Sequence, residues 1–108
     1  MSDQILKDTL EGTGLPVAYY YYRGTKPEYI VYNEEAEQPA NFGSNRAQNR
    51  ITWWQVHLFA PESSEFREKK KLIIKSLLSA GFYVTDAVTL YEEETRTIHV
   101  VISCHMGE

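Results

Sequence analysis

Arg50-Ile51-Thr52-Trp53-Trp54-Gln55-Val56-His57-Leu58-Phe59-Ala60, closed by Pro61, is the run whose reading decides the fold. Its β-branched and aromatic residues favour extended backbone. In a strand, Thr52, Trp54, Val56 and Leu58 point one way, and Ile51, Trp53, Gln55, His57 and Phe59 the other. Both sides are partly apolar, so the strand is central, with one face under helices and the other incompletely wet. Beyond Pro61 the period changes. From Glu62 or Ser63 to Ala80, Phe66, Ile73, Leu77 and Ala80 form an inner helical stripe widened by Ile74 and Leu78. Ser63 or Ser64 is the expected cap and Gly81 the stop.

Working outward, Phe82–Tyr91 and Arg96–His105 read as a hairpin turning at Glu92-Glu93-Glu94-Thr95. Its last strand alternates, with Ile98, Val100, Ile102 and Cys104 inward and His99, Val101, Ser103 and His105 outward. Upstream, Asp3–Glu11 is a short helix with Asp3 as its cap and Ile5, Leu6 and Leu10 on one side; Gly12 and Gly14 end it. Pro16–Arg23, holding Tyr19 to Tyr22, and Glu28–Asn33 read as two strands of a hairpin. Glu34–Asn49 has one large apolar side chain, Phe42, and reads as a long, mobile loop. The expected order is α-β-β-β-α-β-β. This is one α+β domain over 1–108, a mainly antiparallel sheet carrying one main helix and a short N-terminal one.

At 43% hydrophobic and 24% charged residues the chain is of the globular type, and its 108 residues are enough for one core. A net charge of −4 argues against a specific nucleic-acid partner. Cys104 is the single cysteine, which excludes an internal disulfide and suits a reducing compartment. Met1–Thr13 is too polar for a signal peptide, and no apolar run reaches the length of about 18 residues that a membrane span needs. The expectation is a cytoplasmic protein without a membrane partner.

Chemistry-bearing motifs are scarce. Cys104 and His105 face opposite sides of one strand, and His99 and His105 lie roughly 20 Å apart along it. His57 meets either histidine only if the register allows. No metal and no other cofactor is expected, and no catalytic residue. There is no serine in a G-x-S-x-G turn, and Gly12 and Gly14 follow a helix, not a strand. Glu34, Glu35 and Glu37, like Glu92 to Glu94, read as solvated loop carboxylates, not as a buried dyad. Arg67, Lys69, Lys70, Lys71 and Lys75 form the one basic cluster, a solvated helix face with Glu65 and Glu68 nearby, or a contact for an acidic partner. Strand alternation turns two of Tyr19, Tyr20, Tyr21 and Tyr22 away from the core, joined by Trp53 if its strand is adjacent. They mark either a protein contact or a sheet face covered by a loop or terminus. The candidate interface is therefore these four tyrosines, Trp53, the three loop glutamates and Lys69, Lys70, Lys71 and Lys75.

Taken together, Leu15-Pro16-Val17-Ala18-Tyr19, Pro27-Glu28-Tyr29-Ile30-Val31-Tyr32, Trp54-Gln55-Val56-His57-Leu58-Phe59, the helix and Ala80-Gly81-Phe82 resemble the tail-completion or tail-terminator proteins of long-tailed phages and prophages. The similarity runs from about Leu15 to Ser103, on strand and turn patterns with no catalytic signature. It implies an α+β sandwich, a homohexameric ring, no enzymatic activity, and docking to a tail-tube protein and a head-completion or connector protein. Such a protein assembles in the host cytoplasm and ends in the virion tail. No functional residue carries over, and a neighbouring head-closure role fits the same pattern. The competing class is a small-molecule-binding or regulatory module with the tyrosines lining a pocket; an enzyme comes third.

Overall fold

The computed structural model describes residues 2–39 and 50–107. Its elements are α1 (Ser2–Glu11), β1 (Val17–Tyr19), β2 (Tyr29–Pro39), β3 (Arg50–Pro61), α2 (Phe66–Ser79), β4 (Tyr83–Glu92) and β5 (Thr97–Gly107). This is the expected order and the expected α+β class. The five strands form one sheet, β1-β2-β3-β5-β4, antiparallel except for the β1–β2 pair. β3 is the central strand, as its two half-apolar faces require.

The helices cover one face. Ile30 and Tyr32 of β2, Trp54, Val56, Leu58 and Ala60 of β3, and Ile98, Val100, Ile102 and Cys104 of β5 point under them. They pack against Leu6 and Leu10 of α1 and Phe66, Ile73 and Leu77 of α2. Trp54 donates its indole N–H to Ser2 Oγ (3.3 Å), which satisfies the one polar atom of that ring and ties α1 to the sheet. α2 ends as its sequence demands. Gly81 takes φ +99°, Phe82 N–H donates to Leu77 O (3.0 Å) and Gly81 N–H to Leu78 O (3.2 Å), a Schellman closure with Phe82 buried beyond it.

Several expectations are corrected. Pro16–Arg23 is not one strand of a hairpin. Only Val17–Tyr19 is extended, and it pairs parallel to β2, Val17 opposite Ile30 and Tyr19 opposite Tyr32. The chain leaves the sheet at Tyr20, whose φ is +66°, and Tyr21 N–H donates to Tyr19 O (2.8 Å). That is a γ-turn of the rarer positive-φ kind. Glu34–Pro39 is not loop. It continues β2, past a bulge between Glu34 and Ala36, and pairs with β3 to Arg50. Long polar strands at a sheet edge carry no apolar signal, which is why they read as loop. The rest of the expected mobile segment, 40–49, lies outside the described residues. α2 starts at Phe66 with no side-chain cap; Ser64 Oγ instead donates to Pro61 O (2.6 Å) within the preceding turn. Ile5 and Leu78, expected inside, are exposed.

Candidate interaction surface

The helix-free face of the sheet is built by cross-strand rows that register makes unavoidable. Tyr29, Phe59, His99 and Leu90 form one row, Val31, His57, Val101 and Val88 the next, then Asn33, Gln55, Ser103 and Asp86, then Ala36, Trp53, His105 and Tyr83. Nearly every member on β3 and β5 is half-buried, held by its neighbours and not by a second layer.

Two aromatic clusters result. In the first, Tyr22 stacks on Tyr29 (ring centroids 4.2 Å), Tyr29 on Phe59 (5.0 Å) and Phe59 on His99 (4.2 Å). Tyr22 is brought there by the γ-turn at Tyr20, and its hydroxyl accepts the Lys26 backbone N–H (3.1 Å). Gly24 is required beneath it, because a Cβ would run into the Tyr22 ring. The second cluster stacks His105 between Trp53 (4.2 Å) and Tyr83 (5.2 Å). Trp53 Nε1 and His105 Nδ1 are shut off from solvent without a hydrogen-bond partner.

His57 and His99 meet diagonally across β3 and β5. Asn33 donates its amide to Glu34 O (3.3 Å), which turns Asn33 Oδ1 toward His57 Nε2 (3.1 Å). His57 Nε2 therefore carries the proton, and its bare Nδ1 accepts His99 Nε2–H at 2.8 Å. Both imidazoles are pushed below their ordinary range by burial. The neighbouring His99 adds to the effect on His57, and Glu92 partly offsets it at His99. Sequence alone named the condition for this contact, a favourable register, but not the register. Among the described residues no three His, Cys, Asp or Glu side chains come together as a metal site. Burial pushes the Cys104 thiol up to about 12, which makes it an inert core group.

The four tyrosines have different surroundings. Tyr19 and Tyr20 both donate to Glu34 Oε1, Tyr20 at 2.9 Å, and their rings meet edge to face. Those hydroxyls hold the Glu34 carboxyl below its usual range, and the carboxylate raises both phenols. Tyr22 is in the stack. Tyr21 is 68% exposed, with the Arg23 guanidinium 5.4 Å from its ring. Trp53 does not join the tyrosines; it sits in the second cluster.

Of the charged candidates, Glu35 lies beside Trp53, Thr85 and Asp86 in a shallow cleft, and Glu37 pairs with Arg50 (3.4 Å) at the surface. Lys69 is half-buried on Glu28 (2.6 Å), and Lys70 donates to Thr89 of β4 (3.3 Å). Lys71 pairs loosely with Glu68 (3.9 Å), and Lys75 is exposed. Arg67, Lys70 and Lys71 line a groove between α2 and Thr89 together with Phe66 and Ile74. The basic cluster is thus a rim along the β4 side of the molecule, with Lys69 committed to an internal pair.

No protein-family model matches this sequence, and no curated protein sequence does. Among solved structures, a chain in the virion of a native gene transfer agent particle is similar in fold, with a TM-score of 0.63 at 10% identity. The similarity covers 93% of this chain and 88% of that one. At that identity the two share a fold.

Proposed function

We propose that this chain is a non-enzymatic structural subunit of a phage-like particle, one that completes or caps the tail tube as a homo-oligomeric ring. The observation that carries the reading is the near full-length fold match to a chain of a gene transfer agent virion. A match of 93% against 88% places nearly the whole of this chain within the shared fold. The surface fits the reading too. It has an exposed aromatic in Tyr21, an open aromatic sheet face, and acidic and basic rims on different elements, which a closed ring needs because its contacts join two unlike patches. The partners would be further copies of this chain, the tail-tube protein and the head connector, and its place the assembled particle.

One observation favours a different reading. Tyr20, Tyr21, Tyr22, Tyr29, His57, Phe59 and His99 line an open cleft of about 260 Å³. Ligand pockets run from roughly 300 to 1,000 Å³ and enclose most of the ligand, so this cleft suits an inserted side chain better than a free metabolite. Sedimentation velocity over a concentration series, with and without purified tail tubes, tests the proposal. A species several-fold larger than 12.5 kDa, or co-sedimentation with tubes, is expected. A chain that stays monomeric and ignores tubes sinks it.

A further inference from the structure

We propose that copies of this chain join edge to edge, the free edge of β4 in one copy pairing with the outer half of β2 in the next. This deepens the ring reading and rests on it.

The two edges are the places where the sheet is unfinished. β4 is the last strand, ten residues long, and among the described residues nothing pairs with its outer side. It exposes Tyr83, Val88, Leu90 and Tyr91, and from Ala87 to Tyr91, past its bulge at Val84/Asp86, it has no charge and no proline to discourage pairing. Monomeric proteins usually blunt such an edge, because its free N–H and C=O groups recruit another strand. At the opposite end β1 pairs only with Ile30, Val31 and Tyr32, so Glu34–Pro39 also lacks an outer neighbour among the described residues.

Direction and charge agree. Since β2–β3, β3–β5 and β5–β4 are all antiparallel, β4 runs opposite to β2. Rotation about an axis along the strands preserves direction, so β4 of one copy meets β2 of the next antiparallel, the more stable pairing. The β4 side is bordered by Arg67, Lys70 and Lys71, the β2 side by Glu34, Glu35 and Glu37. Glu34 and Glu37 pair in register with Trp54 and Thr52, both buried beneath the helices, so these acids rise on the same face as the lysines. Within one copy Thr89 is level with Ile30, through Val100 and Leu58. Facing Glu37 of the next copy, which is on that same face, therefore takes a stagger of about six residues, counted along β3 from Leu58 to Thr52.

The test uses the full chain in three forms: Lys70→Glu with Lys71→Glu, Glu37→Lys, and all three changes together. All are surface changes, so thermal melting should show each form folded. At low salt each reversal should slow association about tenfold, and the combined form should recover the rate. Thr89→Cys combined with Glu37→Cys should give a ladder of oligomers with a short thiol cross-linker, Cys104 being buried and silent. If the wild type assembles but neither reversal slows it, or the combined form does not recover, or no ladder appears, edge pairing is overturned and the ring reading stands. If the wild type stays monomeric with tail tubes present, both fall.

Discussion

Replacing Phe59 with alanine tests whether the open face is a packed unit or a set of independent surface aromatics. Phe59 sits between Tyr29 and His99 at 5.0 and 4.2 Å, with His57 6.4 Å away. Fully burying an aromatic ring removes 150–250 Å², and this one is half-buried, so about 100 Å² of apolar contact is at stake. At about 25 cal/mol per Å² that is about 2.5 kcal/mol. The two stacked neighbours add about 0.5 kcal/mol each at the low end, while relaxation of Tyr22 and Tyr29 into the gap recovers part. The expected loss is therefore about 2–3 kcal/mol, read as a shift of the urea midpoint at unchanged slope. Phe59→Leu keeps most of the area but not the stacking and should lose about 1 kcal/mol. A second readout is independent of stability. With Phe59 gone, solvent reaches His99, and its titration by NMR should move up toward the ordinary histidine value. An alanine variant within 0.5 kcal/mol of the wild type, with His99 unmoved, would refute the idea that the stack holds this face together.

Acid should act in two steps. His57 and His99 titrate below their ordinary 6.5 in the fold, so the unfolded chain binds more protons as pH falls past that value, and stability drops there. Glu34 is depressed, so its contribution is present above its ordinary 4.5 and is lost as pH falls further. Urea midpoints measured from about pH 7.5 down to about pH 2.5 should show both steps, and His57→Gln should shrink only the first. Gly81→Ala places a Cβ at φ +99° with only Met106 Cε nearby at 3.5 Å, so the cost is backbone strain of about 1–2 kcal/mol, seen as a lower melting temperature. Glu28→Gln breaks the half-buried pair with Lys69 and should cost about 1 kcal/mol by the same measurement, reduced by added salt in the wild type.

What the sequence made legible were the segments with a clear period. Alternation in Thr97–His105 assigned Ile98, Val100, Ile102 and Cys104 to the core and His99, Val101, Ser103 and His105 to the open face, residue by residue. The Phe66, Ile73, Leu77 stripe and the Gly81 stop were legible for the same reason. Two failures have one cause, which is that side-chain propensity does not report backbone hydrogen bonding. Four tyrosines look like a strand, but Tyr20 takes a left-handed turn that lets Tyr22 reach Tyr29. Glu34–Pro39 looks like loop, but it pairs along β3 because an edge strand needs no apolar face. The meeting of His57 and His99 is a third kind of case. It depends on Phe59 facing His99 across β3 and β5, a register set by the whole sheet and visible in neither strand alone.

The tyrosine run also changes how the surface should be read. Counted as composition, four consecutive tyrosines are one adhesive patch. In the fold, Tyr19 and Tyr20 are spent on Glu34, which fixes β1 to the start of the outer half of β2, and Tyr22 is spent on the aromatic stack. Tyr19 and Tyr20 still keep exposed ring surface, and Tyr21 offers the most. Because two phenol donors occupy Glu34, the acidic rim of β2 presents Glu35 and Glu37 more than Glu34, and Glu37 is itself shared with Arg50. An edge with so little uncompensated charge can steer a neighbour but supplies little binding energy. The affinity of any edge contact must then come from the backbone ladder and from Val88, Leu90 and Tyr91 on the facing strand. Salt should accordingly change how fast copies associate more than how tightly they hold.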